Sequence, residues 1–148
     1  MRGNKVILPV LIFVAMLILF SACANTRSIE ETIMQFQDAS NTQDFNSFKD
    51  TLSPASNLWV QGDPTILDFL TNVMGARKPV TYSSLTININ AIDATVTAVA
   101  DYKALPNVPV RFEMHNHDDI WKIRQYWEDI GSGDTLIWFK LIDSIPLD

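Results

Sequence analysis

Cysteine is almost absent from this chain: the one thiol, Cys23, in 148 residues excludes an intrachain disulfide, a zinc knot and a haem-attachment motif. Positive charge is scarce too. Eleven Lys and Arg face 17 Asp and Glu, for a net charge of -6, and Arg2 and Lys5 are the only charges before Arg27. A nucleic-acid binder rests its affinity on a basic patch that meets phosphates, so that class is excluded. The five glycines form no phosphate-cradling loop, and neither a nucleophile elbow nor a metal-binding helix motif appears. No cofactor is called for. What the chain does have is apolar mass, 47% hydrophobic residues with four tryptophans, which is enough to bury a core and excludes disorder.

The N-terminus has the layout of an export signal. Met1 to Lys5 is a short basic start, Val6 to Phe20 carries no charge, and the small Ser21 and Ala22 precede Cys23. The apolar run falls short of the roughly 20 residues a spanning helix needs. Phe20-Ser21-Ala22-Cys23 resembles the bacterial lipobox, and the resemblance implies cleavage before Cys23 and acylation of its thiol. The expected boundaries are then 1–22 for a lipoprotein signal peptide, 23–27 for a short lipid-anchored linker and 28–148 for one folded domain. The implied partner is membrane lipid through Cys23, and the implied location is the bacterial cell envelope. By resemblance to lipoproteins of Gram-negative bacteria, an Asp after the cysteine would favour the inner membrane. Ala24 stands there instead and points to the outer one if the host has two. Ala24 to Arg27 span at most about 14 Å, so the domain is expected close to the membrane surface.

Helical signals open the domain. Ser28 and Glu31 have the spacing of a capping box, followed by Ile29, Ile33 and Phe36 on one face. Asp44 predicts the N-cap of a second helix with Phe45, Phe48 and Leu52 on one face, ended by Ser53-Pro54. Leu58-Trp59-Val60 reads as a short strand. Asp63-Pro64 starts a third helix carrying Ile66, Leu67, Leu70 and Met74, with Gly75 placed to stop it.

After Pro79 the period changes from 3.6 to 2. Leu85, Ile87 and Ile89 alternate with polar residues, a turn or bulge falls near Ala91-Ile92, and Ala94, Val96, Ala98, Ala100 and Tyr102 form the next apolar face. Leu105-Pro106-Asn107 turns into Val108, Val110, Phe112 and Met114. A four-residue turn over Asn116 to Asp119 would lead to Trp121, Ile123, Gln125 and Trp127, pairing Met114 with Trp121, Phe112 with Ile123 and Glu113 with Lys122. The expected fold class is α+β, a cone-shaped curved antiparallel sheet packed on three N-terminal helices.

Helices followed by such a sheet, ending in Asp118-Asp119-Ile120-Trp121-Lys122-Ile123-Arg124, resemble the nuclear transport factor 2-like superfamily and its SnoaL-like polyketide cyclases. The resemblance covers about Ser28 to Glu128 and implies a cone with a pocket between sheet and helices. Several enzymes of the superfamily carry Arg-Asp-Tyr-aromatic-Asp in the last strand; the matching stretch here is Arg124-Gln125-Tyr126-Trp127-Glu128. Gln125 takes the place of the pocket acid, and it cannot accept a proton near neutral pH.

Candidate site residues follow from these assignments. Trp59, Tyr102, Met114, Gln125 and Trp127 are expected to line an apolar ligand pocket, with Asp38 on the first helix as the candidate general base. His115, His117, Asp118 and Asp119 have metal-ligand chemistry, but they sit at a strand end and in a turn, so no metal site is assigned. Arg77-Lys78 reads as a surface pair. Six large apolar residues between Leu136 and Ile142 are too many for one exposed helix face, so this segment is expected to close the cone mouth, to pack under the sheet as a core element, or to form a homodimer contact. Two functions fit: a non-catalytic envelope lipoprotein binding an apolar small molecule or an envelope protein, and a pocket enzyme of cyclase, isomerase or epoxide hydrolase type.

Overall fold

The computed structural model describes residues 27–131 and 137–145. The export signal, Cys23 and Asp134 lie outside them. Among the described residues no helix is long and apolar enough to cross a membrane.

Helix α1 spans Ile29–Thr42 and opens on the expected capping box: Ser28 Oγ accepts from the Glu31 amide, and the Glu31 carboxylate accepts from the Ser28 amide. Two of its four orphan donors are thereby satisfied. Ile33, Phe36 and Ser40 point inward, fully buried. Helix α2, Phe45–Thr51, is capped by Asp44 as its sequence predicts. The expected strand at Leu58-Trp59-Val60 is instead a helix, α3, Asn57–Gln61, because Ser56 Oγ accepts from the Trp59 amide and caps a turn that has no neighbouring strand to pair with. Helix α4, Asp63–Asp68, does not stop at Gly75. It runs through a π-helical stretch, Phe69–Met74, into a last turn, Gly75–Arg77, with the Gly75 amide bonding back to Leu70. Gly75 is helical here, and a Cβ at this position would come closest to the end of the Gln43 side chain, 3.4 Å away, so nothing at this position forces the helix to stop.

Five strands follow, β1 Val80–Asn90, β2 Asp93–Tyr102, β3 Val108–His117, β4 Ile120–Asp129 and β5 Trp138–Ile142, in one antiparallel sheet ordered by sequence. The fold is α+β as expected. The turn between β3 and β4 is tighter than its sequence suggests. Asp118 and Asp119 both take positive φ, 50° and 64°, giving a two-residue turn whose twist matches the strands. Pairing therefore moves by two residues next to the turn, where Met114 faces Ile123, not Trp121, and by three beyond a bulge, where Glu113 faces Gln125, not Lys122. Lys122 and Arg27 instead converge on Asp50, binding the start of the domain to the end of α2. Burial works against that carboxylate, but hydrogen bonds from Lys122 and Arg27 outweigh it and hold the group down at about 2. Trp121 is half-buried against the core edge.

The core fills the space between sheet and helices. Phe36 stands at its centre, with the rings of Phe48, Tyr126, Phe112 and Tyr82 at centroid distances of 4.9, 5.7, 6.0 and 6.2 Å. Among the described residues the C-terminal segment is a core element. It joins the sheet as β5, with Ile142 buried opposite Tyr126, and its chain continues to pair Ser144 with Ser56.

Candidate functional site

A bulge in β4 decides which side chains enter the cone. Met114 opposes Ile123 and Glu113 opposes Gln125, so Arg124 is an extra residue and the alternation flips behind it. Tyr126 and Glu128 face inward. Trp127 turns to the outer face, where the Arg111 guanidinium lies 4.7 Å and Lys140 Nζ 4.3 Å from its ring. The inward carboxylate is therefore Glu128, three positions beyond the place where the resemblance put it.

Glu128 is 5% exposed and ends a hydrogen-bonded chain. The Tyr82 hydroxyl donates to Tyr126 at 3.1 Å, Tyr126 donates to Tyr102 at 2.6 Å, and Tyr102 donates to Glu128 Oε1, with the Tyr126 oxygen 3.3 Å from that same carboxylate oxygen. From the helical side, Arg77 Nε lies 2.9 Å from Oε1 and Nη2 3.1 Å from Oε2, while Nη1 donates to the Val73 carbonyl at 2.8 Å. The path of α4 beyond Gly75 brings Arg77 here. Sequence reading had placed it on the surface.

The electrostatics follow from burial. Tyr82, Tyr102 and Tyr126 are all pushed well above the ordinary tyrosine value, first by desolvation and then by neighbouring negative charge, so they stay protonated donors. For Arg77 burial disfavours the cation, but the bond and charge of Glu128 outweigh it and raise its value further. A general base needs a lone pair within reach of a substrate proton. Both Glu128 oxygens are taken by internal donors, so the group acts here as a clamp in an ion pair.

Arg77, Tyr102 and Glu128 form the floor of a cleft of about 490 Å³, walled by Ala104, Leu105, Val108 and Ile130. Of the expected pocket residues only Tyr102 belongs to it. Met114 is buried in the core, and Trp59 is half-buried on α3 beneath Lys49, 5.1 Å from its ring. Gln125 is buried but bonds to Asp143 and Ser144 in the C-terminal segment. Asp38 is exposed on the outer face of α1, beside a separate groove with Met34 and Thr42; the α1 residues that bond to the sheet are Thr32, Asn41 and Gln37, whose Oε1 accepts from the Tyr82 amide. His115 pairs with Asp93 at 2.9 Å, and among the described residues no group of three or more His, Cys, Asp or Glu is arranged to hold a metal ion.

Comparison with known proteins adds the fold's name. No protein-family model and no curated protein matches the chain. Solved structures do. A protein of unknown function with a cystatin-like fold from Nostoc punctiforme is 13% identical, with a TM-score of 0.57 over 71% of this chain and 90% of that one. A protein provisionally named an aromatic ring hydroxylase, from Novosphingobium aromaticivorans, is 18% identical, with a TM-score of 0.55 over 76% and 91%. A protein named as an NTF2 variant with point substitutions is 12% identical, with a TM-score of 0.52 over 66% and 92%. The chain has the nuclear transport factor 2-like fold. Identities this low speak for the fold alone.

Proposed function

We propose that the protein is a lipid-anchored envelope lipoprotein whose cone domain is a non-catalytic binding module. The observation that carries this reading is the state of Glu128: the inward carboxylate of the cone is paired through both oxygens with Arg77 and accepts from Tyr102, in a core packed with aromatic rings. With Cys23 acylated, the short linker holds the Arg27 end of the domain at the bilayer. Arg27 pairs with Ile120 at the start of β4, and the cleft lies at the other end of that strand, about 30 Å away at ~3.4 Å per residue. The cleft then opens away from the membrane that holds the anchor. In a host with two membranes, Ala24 favours the outer one.

The anchor is tested by metabolic labelling with a fatty acid in a bacterial host. Wild-type protein should carry label and fractionate with membranes, and Cys23→Ser should lose both. Equal label in the two proteins would sink this part of the proposal. A pocket enzyme of cyclase, isomerase or epoxide hydrolase type is the second reading, favoured by the position of Tyr102 and Glu128 on the cleft floor. It requires the carboxylate to leave Arg77 before it can take a proton.

A further inference from the structure

The geometry points to the cleft as a binding site for a neutral, apolar small molecule that carries one acceptor oxygen, such as an aryl ketone, which that oxygen would anchor on Arg77. This deepens the binding-module reading and rests on it. Three features of the cleft fix the ligand class.

The first is its walls. Leu105, on the turn after β2, and Ile130, after β4, are 58% and 60% exposed, and Ile137 and Phe139, outside the cleft lining but on the hairpin that carries Ile130, are 53% and 52% exposed. Large apolar side chains left open at one end of a sheet mark a surface that something apolar covers. The volume of about 490 Å³ suits a small molecule.

The second is charge. Glu128 and Asp129 line the cleft against Arg77 alone, so its lining carries a negative excess that disfavours an anion. A cation gains little either. The Glu128 oxygens are occupied, and Asp129 Oδ1 accepts the amides of Gly131 and Ile137 at 2.9 and 2.7 Å.

The third is a donor. A guanidinium has five N–H groups. Arg77 spends Nε–H and one Nη2–H on Glu128 and one Nη1–H on Val73, which leaves two that meet no acceptor among the described residues. A ligand carbonyl entering between Leu105 and Ile130 would meet them.

Benzophenone is a probe of this class, because it is neutral and apolar, and its photoexcited carbonyl inserts into nearby C–H bonds. The full chain in membranes is irradiated with benzophenone or with its 4-carboxylate, and the adducts are mapped by mass spectrometry. Saturable labelling is expected in the segments 104–108 and 129–131, at least about tenfold weaker with the carboxylate. It should also fall at least about tenfold in the Leu105→Asp, Ile130→Asp double variant, whose substitutions are at exposed positions and whose fold is checked by circular dichroism. Absence of adducts in the cleft, equal labelling by the carboxylate, or labelling unchanged in the folded double variant would overturn the inference. None of those results touches the fatty-acid label on Cys23, and loss of that label leaves the cleft chemistry standing, so the two failures are distinguishable.

Discussion

Arg77→Met should lower the unfolding free energy by about 3 kcal/mol, read as a shift of the denaturant midpoint at unchanged slope. The reason is the carboxylate left behind. Glu128 is fixed in the cone beside Tyr102 and Tyr126, and without the guanidinium it is a buried charge held by the Tyr102 hydroxyl. The partial exposure of Arg77, 27% of its side chain, keeps the expected loss at the lower end of the range for broken buried pairs. Combining Arg77→Met with Glu128→Gln removes the stranded charge, so the double variant should recover most of the loss. A double variant no more stable than Arg77→Met alone would mean that the pair does not account for the effect.

Phe36→Ala should cost about 3 to 5 kcal/mol, the largest effect expected of any single truncation in the core. Phe36 is fully buried, and four aromatic rings surround it. Those rings sit on α2 and on three strands, so the space cannot collapse without moving the sheet against α1. Phe36→Leu keeps most of the volume and should lose clearly less. Calorimetric unfolding of the two variants checks the order, and equal losses would place Phe36 outside the packed centre.

Local signals made most of the fold legible. Ser28 with Glu31 and Asp44 each mark a helix start by a capping bond within three residues, Pro64 marks another by its place in the first turn although Asp63 caps nothing, and the change to period 2 after Pro79 marks the sheet. What failed was non-local or depended on one residue of register. Asp118 and Asp119 accept left-handed backbone, so a two-residue turn was open to them, but Asn116 and His117 are as polar as a longer turn would need. The bulge at Arg124 falls between Ile123 and the aromatic pair Tyr126-Trp127, either of which can continue an inward alternation, so no apolar period reports it. That hidden residue moved Gln125 and Trp127 off the inner face and brought Glu128 onto it. Arg77 was misread for a related reason. Its partner is 51 positions away, and only the continuation of α4 through its π stretch brings them together.

The closed, charge-balanced cone is tested most directly by titrating tyrosinate absorbance in the folded protein. The chain has three tyrosines, and Tyr82, Tyr102 and Tyr126 are all three, so the signal belongs wholly to this cluster. Each is raised above the ordinary value of 10.0, so the native state keeps protons that the unfolded state releases. The sign follows: the cluster's contribution to stability is full below pH 10.0 and is lost as pH rises above it. The folded protein should show no tyrosinate at pH 10.0, and absorbance should appear only in step with loss of the folded circular dichroism signal, whereas protein in denaturant titrates near 10.0. Reversible ionisation of more than one tyrosine near pH 10.0 with the fold intact would contradict the account, because only Tyr102 lines the cleft and a second titrating hydroxyl would mean that water reaches Tyr82 or Tyr126 inside the cone.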